Sequence, residues 1–353
     1  MEKEMERIMP KPRNSGGNKL MLWILIGLAI VIGLGMLTIA PYMMEGSDKE
    51  VTVRIPKGAT FDNVKDTLDK YFPEAYSGKV QRLLTVYGFD PVKRHGSYVL
   101  PKGATPFATM RKLSRGSQTP VRLTINGFRS LDYLADRMSR KMEFSKEELL
   151  EAATDSAYLA QYGLTPQQAL SLFLEDTYEV YWTYSPREVL DKIGQNYTAY
   201  WTQGKREVAE DLDLTPAEVM TIASIVDEET NQPLEKGRIG RLYINRLDKG
   251  MPLQADPTVK FALNDFSLRR ITNEHTRFPS PYNTYVNKGL PPGPIRTTSR
   301  RTLDEIISSV PSDDLYMCAR PDFSGFHNFA PDYEKHLQNA RLYQKELDER
   351  GIK

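Results

Sequence analysis

The sequence has a single cysteine, Cys318, in 353 residues. One thiol excludes an intramolecular disulfide framework and a zinc site built from cysteines. Histidine is also scarce, and no pair among His95, His275, His327 and His336 has the helical spacing of metal ligands. We therefore do not expect a metal enzyme.

Several signature sequences are missing as well. The chain contains no GxxxxGK[ST] phosphate loop, no GxGxxG, no GxSxG and no HExxH. It also lacks an excess of charge of one sign, because 47 basic and 46 acidic residues leave a net charge of +1. That balance gives no electrostatic footprint for nucleic acid, so no nucleic-acid partner is expected.

One long apolar run is present, at residues 20–40, and it is uncharged and about as long as a bilayer crossing. Basic residues precede it and acidic residues follow it. The positive-inside rule then predicts a cytoplasmic tail at 1–19, a transmembrane helix at 20–40 and an extracytoplasmic remainder. A cleaved signal peptide is the alternative, disfavoured because the run is long for one and Pro41 follows directly. The flanking charges are Lys11, Arg13, Lys19, Glu45 and Asp48.

A strand, a glycine turn and a helix recur about three times between residues 51 and 140. The phrase PKGAT occurs verbatim at 56–60 and at 101–105, each time after a strand-like stretch and before a helical one. A looser copy, VRLTI-NGFRS-LDYLADRM, starts at Val121. These units predict one or two small α/β modules and an α+β protein. We assign a first module to 51–120 and a second α/β and helical connecting region to 121–212.

The connecting region includes a loop rich in aromatic and acidic residues, FLEDTYEVYWTYSP at 173–186. Composition leaves two interpretations equally open. The loop is either a packing surface between domains or a platform on which sugar rings stack. After it, a loop is expected around LQADPTVKFAL at 253–263, followed by a loop through GLPPGPI.

The helix TPAEVMTIASIVDEET at 215–230 is the most informative segment. Thr215 and Glu218 have capping-box spacing, and Val219, Ile222, Ala223 and Val226 mark one apolar face. Three acids end the helix, where its dipole disfavours negative charge.

The three acids are predicted to differ in their surroundings. Glu228 is expected to point into solvent. Glu229 falls on the flank of Ile222 and Ile225, and Asp227 falls on the opposite flank. A carboxyl group against aliphatic side chains has a raised pKa and can act as a general acid, as glycoside cleavage requires. The alternative is a solvated helix end without chemistry.

Other candidate site residues follow this helix. A second helix is predicted at about 235–249, with Ile239, Leu242, Tyr243 and Leu247 on its apolar side and Gly250 as its stop. Loops and turns beyond it carry polar side chains, and loops are the segments that a scaffold most often aims at a ligand. The candidates are Asn245, Arg246, Gln254, Asp256, Thr258, Tyr282, Asn283 and His327.

Taken together, these segments resemble the endolytic murein transglycosylases, the YceG-like proteins. The resemblance lies in ASIVDEET at 223–230, INRLDKGMPLQADPTV at 244–259, YNTY at 282–285, GLPPGPI at 289–295 and GFHNF at 325–329. It implies one N-terminal anchor, a LysM-like module, here the PKGAT units of 51–120, and a catalytic domain at 213–345 outside the cytoplasmic membrane.

The resemblance also implies residue roles. The second glutamate of an ASIVEKE-type motif corresponds to Glu229, the catalytic acid. The first corresponds to Asp227, and the lysine between them is replaced here by Glu228, which should raise the pKa of Glu229 further. An FPDT-type motif appears as LEDT at 174–177, with its proline replaced and the preceding glycine missing, which puts the shape of that loop in doubt.

The implied reaction is lytic cleavage of the MurNAc–GlcNAc bond within peptidoglycan strands. It leaves 1,6-anhydro-MurNAc ends and would terminate nascent strand elongation. Glu229 would act first as acid and then as base, and Gln254, Asp256, Tyr282 and Asn283 would hold the acetamido sugars and brace Glu229. The resemblance implies no metal or organic cofactor, and it implies cell-wall synthases in the membrane as protein partners. Two alternatives remain: a muramidase that uses Asp256 to activate water, and a non-catalytic peptidoglycan-binding scaffold.

Overall fold

The structure, a computed structural model, describes residues 16–268 and 270–351. Residues 1–15, most of the predicted cytoplasmic tail, lie outside the described residues. The chain divides into two compact units, Met1–Thr119 and Pro120–Lys353. Each unit has a hydrophobic core of its own.

The first unit begins with an apolar helix and continues as a small mixed module. Val53 of its first strand lies opposite Tyr98 of its second in an antiparallel pair, and both side chains are buried. The elements are α1 (Gly16–Met43), β1 (Val51–Ile55), α2 (Phe61–Tyr71), α3 (Glu74–Val86), β2 (Gly96–Leu100) and α4 (Pro106–Arg115).

Helix α1 contains the predicted membrane span. Its segment Lys19–Met43 is long and apolar enough to cross a bilayer, and none of its most apolar window is buried within the protein. The helix continues past the predicted end at residue 40 and includes Pro41. One N-terminal apolar helix is therefore a feature of the fold.

The repeated strand–turn–helix pattern is confirmed, and the glycine turns explain it. Gly58 and Gly103 of the two PKGAT copies have φ of +80° and +82°, a backbone conformation that favours glycine. The threonine that ends each copy, Thr60 or Thr105, caps the next helix. In the third copy, Ser130 caps the following helix in the same way.

The second unit is mainly helical, with two antiparallel strand pairs, β3 with β4 and β5 with β6. Short 3₁₀ turns lie at Pro166–Leu172, Pro233–Glu235 and His275–Arg277. The main elements are β3 (Val121–Ile125), α5 (Leu131–Ser139), α6 (Lys146–Ala153), α7 (Ser156–Ala160), β4 (Asp176–Val180), α8 (Pro186–Tyr200), α9 (Gln203–Glu210), α10 (Pro216–Glu229), α11 (Lys236–Asp248), α12 (Asp256–Leu263), α13 (Arg300–Ile307), β5 (Tyr316–Ala319), β6 (His327–Ala330) and α14 (Tyr333–Glu349).

The loop predictions for two segments are wrong. Residues 176–180 of the aromatic segment form β4 because they pair with β3, and Tyr178 and Trp182 are buried. That burial favours the packing interpretation over the sugar platform. Residues 256–263 form α12, whose Asp256-Pro257 start is typical of a helix N-terminus.

Helix α10 is the centre of the second core. The capping box between Thr215 and Glu218 is present as predicted. The predicted apolar face is buried as expected, but burial extends around the whole helix, because every residue from Val219 to Val226 is buried. A helix that is hydrophobic all round is buried in a core, and side-chain hydrogen bonds hold each of the three acids of its last turn.

Candidate active site

Glu229 is the last residue of α10 and is only partly exposed. The phenol of Tyr243, on α11, donates a hydrogen bond to Glu229 Oε1 at 2.8 Å. Tyr243 is itself buried, with 2% of its surface exposed. The bond therefore fixes one carboxylate oxygen and leaves the other to face a cleft.

The cleft beside Glu229 has a volume of about 210 Å³. It lies against the end of α10 and the loop 252–258, and α11, β5 and Tyr285 supply further walls. Four predicted site residues meet there: Glu229, Arg246, Gln254 and Asp256. The complete lining is Glu229, Leu242, Tyr243, Arg246, Leu253, Gln254, Asp256, Tyr285 and Met317.

The loop that carries Gln254 has a strained backbone. Gln254 has a φ of +52°, which is uncommon for a residue with a side chain. Its N–H donates to the Thr284 carbonyl at 3.1 Å, and the buried hydroxyls of Thr258 and Thr284 lie 2.8 Å apart beneath it. These contacts hold the strained turn and leave the Gln254 side chain exposed at the cleft.

A second carboxylate and a tyrosine line the same cleft. Asp256, at the first position of α12, accepts a hydrogen bond from the Tyr285 phenol at 2.6 Å. Asp256 is exposed, so solvent or a ligand can reach its other oxygen. The cleft thus presents two acids, each bonded to one tyrosine.

Arg246 lines the cleft, but its guanidinium supports the loop. Its Nε donates to the Leu315 carbonyl at 2.6 Å, and its Nη1 donates to the carbonyls of Pro252 and Leu253 at 3.1 and 2.8 Å. The side chain is 7% exposed. It joins α11, the strand β5 and the loop before Gln254.

Asn245 and Asn283 lie outside the cleft. Asn245 donates to the carbonyls of Ser312 and Asp314. Asn283 is fully buried, and its amide nitrogen donates to the carbonyls of Thr276 and Phe278. The Asn283 amide is thus enclosed within its own loop and does not line the cleft.

Tyr282 and His327 are also absent from the cleft lining. The Tyr282 ring packs on Phe261 with a centroid separation of 4.7 Å. His327 Nδ1 lies 3.0 Å from the buried carboxylate of Glu235, which also accepts the His327 N–H. Both side chains join elements of the scaffold.

Asp227 is bound into a buried cluster on the opposite flank. Its Oδ1 accepts from Lys236 Nζ at 2.5 Å and from the Thr302 hydroxyl at 2.6 Å, and its Oδ2 accepts from Thr298 at 2.8 Å. The Asp227 side chain is 5% exposed. This carboxylate ties the end of α10 to α11 and α13, two residues before Glu229.

The prediction that Glu228 points into solvent is wrong. Its side chain is 12% exposed, and it accepts bonds from Arg129 Nε and Nη2 at 2.9 and 2.8 Å. Arg296 also donates to it at 3.0 Å and binds Glu175 at 3.2 Å. The helical wheel could not show this, because both arginines belong to segments far away in sequence.

We therefore expect Glu228→Gln to destabilise the protein by about 1–2 kcal/mol, since hydrogen bonds to charged groups carry energies of this order. Thermal unfolding of the full-length variant measures the change. Glu210→Gln is the matched control, because Glu210 also ends a helix but is exposed. Equal melting temperatures for Glu228→Gln and Glu210→Gln would contradict the role of the arginine pair.

The surroundings of Glu229 change its acidity. Burial raises the pKa of its carboxyl group to about 7, the Tyr243 hydrogen bond opposes this, and the charges of Asp256 and Glu228 add to the increase while Lys260 reduces it. Near neutral pH the group is thus divided between its acid and base forms. Such a group can donate a proton and take one back.

Tyr243 and Tyr285 are the site residues that the sequence analysis missed. Tyr243 was placed on the apolar side of α11, which is correct for its ring but leaves out its hydroxyl group. A buried tyrosine usually has a hydrogen-bond partner, and that rule could have identified it. Tyr285 lies in the YNTY segment at 282–285, from which the sequence analysis chose Tyr282 and Asn283 as candidate site residues.

Comparison with known proteins gives consistent matches. The model of the YceG-like family matches residues 53–342. A protein of Streptococcus pneumoniae strain R6, named endolytic murein transglycosylase, is 28% identical over 329 residues, which cover 83% of this chain and 58% of the relative. The Bacillus subtilis strain 168 protein of the same name is 24% identical over 312 residues, covering 84% of this chain and 85% of that protein.

A solved structure shares the fold. The crystal structure of a yceG-like protein from Listeria monocytogenes superimposes with a TM-score of 0.53 at 23% identity. The match covers 83% of this chain and 99% of that one. The present chain spans 58% of the length of the pneumococcal relative, so relatives differ in what they carry outside the shared region.

Proposed function

The chain belongs to the YceG-like family, and we propose on this basis that it cleaves peptidoglycan glycan strands internally as a lytic transglycosylase. The observation that carries the proposal is Glu229, a carboxyl group with a pKa raised to about 7 that faces a polar cleft. The names of the pneumococcal and Bacillus relatives support the substrate. No cofactor is required.

The reaction uses one carboxyl group twice. In the first step, Glu229 gives its proton to the oxygen between MurNAc and GlcNAc, and the bond from that oxygen to C1 of MurNAc breaks. In the second step, the Glu229 carboxylate takes the proton of the C6 hydroxyl while O6 bonds to C1. Glu229 is protonated again, a 1,6-anhydro end forms, and no water is consumed.

Neighbouring groups would assist the two steps. The Asp256 carboxylate is held by Tyr285 and can stabilise the positive charge that develops at C1. Gln254, held at the rim by its strained turn, can hydrogen-bond an acetamido group. Arg246 and Thr258 act indirectly, by holding this loop, and Asn283 does so by holding the neighbouring one.

A muramidase-type hydrolysis is the second candidate, because Asp256 lines the same cleft and could activate water. Mass spectrometry after digestion of uncrosslinked glycan strands with the full-length protein separates the two. Lytic cleavage gives anhydro ends, whereas hydrolysis gives products heavier by one water. Absence of any product, with strand binding retained, would instead support a scaffold.

The pH dependence of cleavage provides a further test. Tyr243 lowers the pKa of Glu229 through its hydrogen bond, so Tyr243→Phe should raise it. Activity that needs the protonated acid is lost as the pH rises through this pKa. We expect the alkaline limb of the pH–rate profile, near pH 7 in the parent, to move to higher pH in Tyr243→Phe. A limb at the same or lower pH would contradict the assignment.

We propose that the module at 51–120 is the LysM-like part and positions the strand without catalysing. It has its own core, and none of the acidic residues in this fully described stretch is buried. Deleting residues 51–119 from the anchored protein should reduce activity on polymeric strands more than on short oligosaccharides. Equal losses on both substrates would mean that the module is only a spacer.

We propose that α1 remains as a single-pass anchor in the cytoplasmic membrane, with the N-terminus inside and everything after about residue 45 outside. The charges flanking residues 20–40 motivate this orientation. Membrane cell-wall synthases are then accessible as partners. Recovery of a soluble mature protein that starts near residue 41 would show cleavage instead.

A further inference from the structure

We propose that a second cleft, beside the start of α5, binds another sugar ring of the same glycan strand, away from the ring that is cleaved. The identity of this ligand rests on the proposed function. The second cleft has a volume of about 330 Å³ and shares no lining residue with the cleft of Glu229. It is lined by Gly127, Arg129, Ser130, Tyr133, Asn264 and Phe266.

Two aromatic rings form the apolar part of the second cleft. Tyr133 is 55% exposed, and its ring packs against that of Phe128 at a centroid distance of 5.7 Å. Phe266 lies under the Arg129 guanidinium at 4.6 Å. Aromatic rings with a polar rim suit the apolar face of a pyranose ring, which carries its hydroxyl groups at the edge.

The charges favour a neutral ligand. Among the residues that the structure describes, Arg129 is the one charged residue in the lining of the second cleft, and two of its nitrogens are bound to Glu228. The wider cluster contains Arg129, Arg296, Glu228 and Glu175, and its charges balance. An acetamido sugar fits this balance better than the carboxylates of a stem peptide do.

Two helices, α12 and α10, each carry residues that contact both clefts or their linings. Helix α12 begins at Asp256 in the first cleft, and Asn264, which ends it, lines the second. Eight residues at about 1.5 Å per residue separate the clefts by roughly 12 Å. At the end of α10, Glu229 faces the first cleft while the adjacent Glu228 binds Arg129 of the second. Linked sugar rings running along α12 would therefore reach both.

The test compares Tyr133→Ala with the full-length parent on long glycan strands and on short oligosaccharides. We expect KM for long strands to rise roughly threefold to tenfold, the effect of losing one aromatic contact, with kcat and short-substrate kinetics unchanged. Tyr133→Phe should retain the parent KM. Tyr333→Ala is the matched control, because Tyr333 is 58% exposed and its ring also packs on aromatic neighbours, Tyr316 at 5.8 Å and His336 at 6.0 Å.

A binding measurement separates this inference from the proposed reaction. Glu229→Gln and Glu229→Gln/Tyr133→Ala, both full-length, are compared for binding to glycan strands freed of their peptides. Weaker binding by the double variant supports the sugar site whether or not the parent forms anhydro ends. Equal binding overturns it. A loss seen only with peptide-bearing strands also overturns it, since the cleft would then bind the stem.

Discussion

Glu229→Gln should abolish glycan cleavage while the protein remains folded and still binds strands. Glutamine has nearly the shape of glutamate and can still accept the hydrogen bond from Tyr243. It cannot give a proton to the leaving oxygen or take one from the C6 hydroxyl. General acid–base catalysis contributes about a hundred- to ten-thousandfold. Because one group serves both steps, we expect a loss near the upper end, measured as the rate of anhydro-product formation.

The Glu229→Gln variant should also be more stable than the parent at alkaline pH. The pKa of Glu229 is about 7 in the folded protein against an ordinary value of 4.5. The folded state therefore holds a proton that the unfolded state has lost, and stability falls as the pH rises from 4.5 to 7. Glutamine has no charge to desolvate, so it should recover up to about 3 kcal/mol above pH 7.

Thermal unfolding at pH 5 and pH 8 checks this second effect. The melting temperature of Glu229→Gln should exceed that of the parent at pH 8 and approach it at pH 5. The exposed Glu210→Gln variant controls for the loss of one negative charge. Two results would exclude Glu229 as the catalytic acid. One is an active Glu229→Gln protein, and the other is a difference in stability from the parent that is the same at both pH values.

The sequence predicted those parts of the fold that local rules determine. The glycine turns with their following caps, the capping box at Thr215 and the two helices around Glu229 all depend on residues a few positions apart. The strand β4 was missed because it forms only by pairing with the distant strand β3. The helix α12 was missed although its Asp256-Pro257 start is a local helix signal.

The candidate site shows the same division. Glu229 was identifiable because its flank and the family motif both lie on one helix. Its partner Tyr243 and the arginines around Glu228 come from other segments, so no periodicity within α10 could reveal them. Asn283 and Tyr282 were selected for their residue type, but only the three-dimensional contacts distinguish a residue that supports a loop from one that faces the cleft.

Asp227→Asn should chiefly destabilise the protein. It removes the charge that pairs with Lys236 in a cluster where the two side chains are 5% and 16% exposed. Breaking one partner of a buried pair leaves the other charge desolvated and typically costs several kcal/mol. Because Lys236 retains some exposure, we expect a loss of about 2–4 kcal/mol in the free energy of unfolding, measured by denaturation of the full-length protein.

A double-variant cycle identifies the cause of that loss. Lys236→Met removes the other charge, and Asp227→Asn/Lys236→Met leaves neither charge unpaired. The double variant should lose less stability than the sum of the single variants, with a coupling of about 0.5–3 kcal/mol. Because Lys236 neutralises the Asp227 charge, the alkaline limb of the pH–rate profile should stay in place in Asp227→Asn. A stable Asp227→Asn protein with a displaced limb would instead mean that Asp227 tunes the acidity of Glu229 directly.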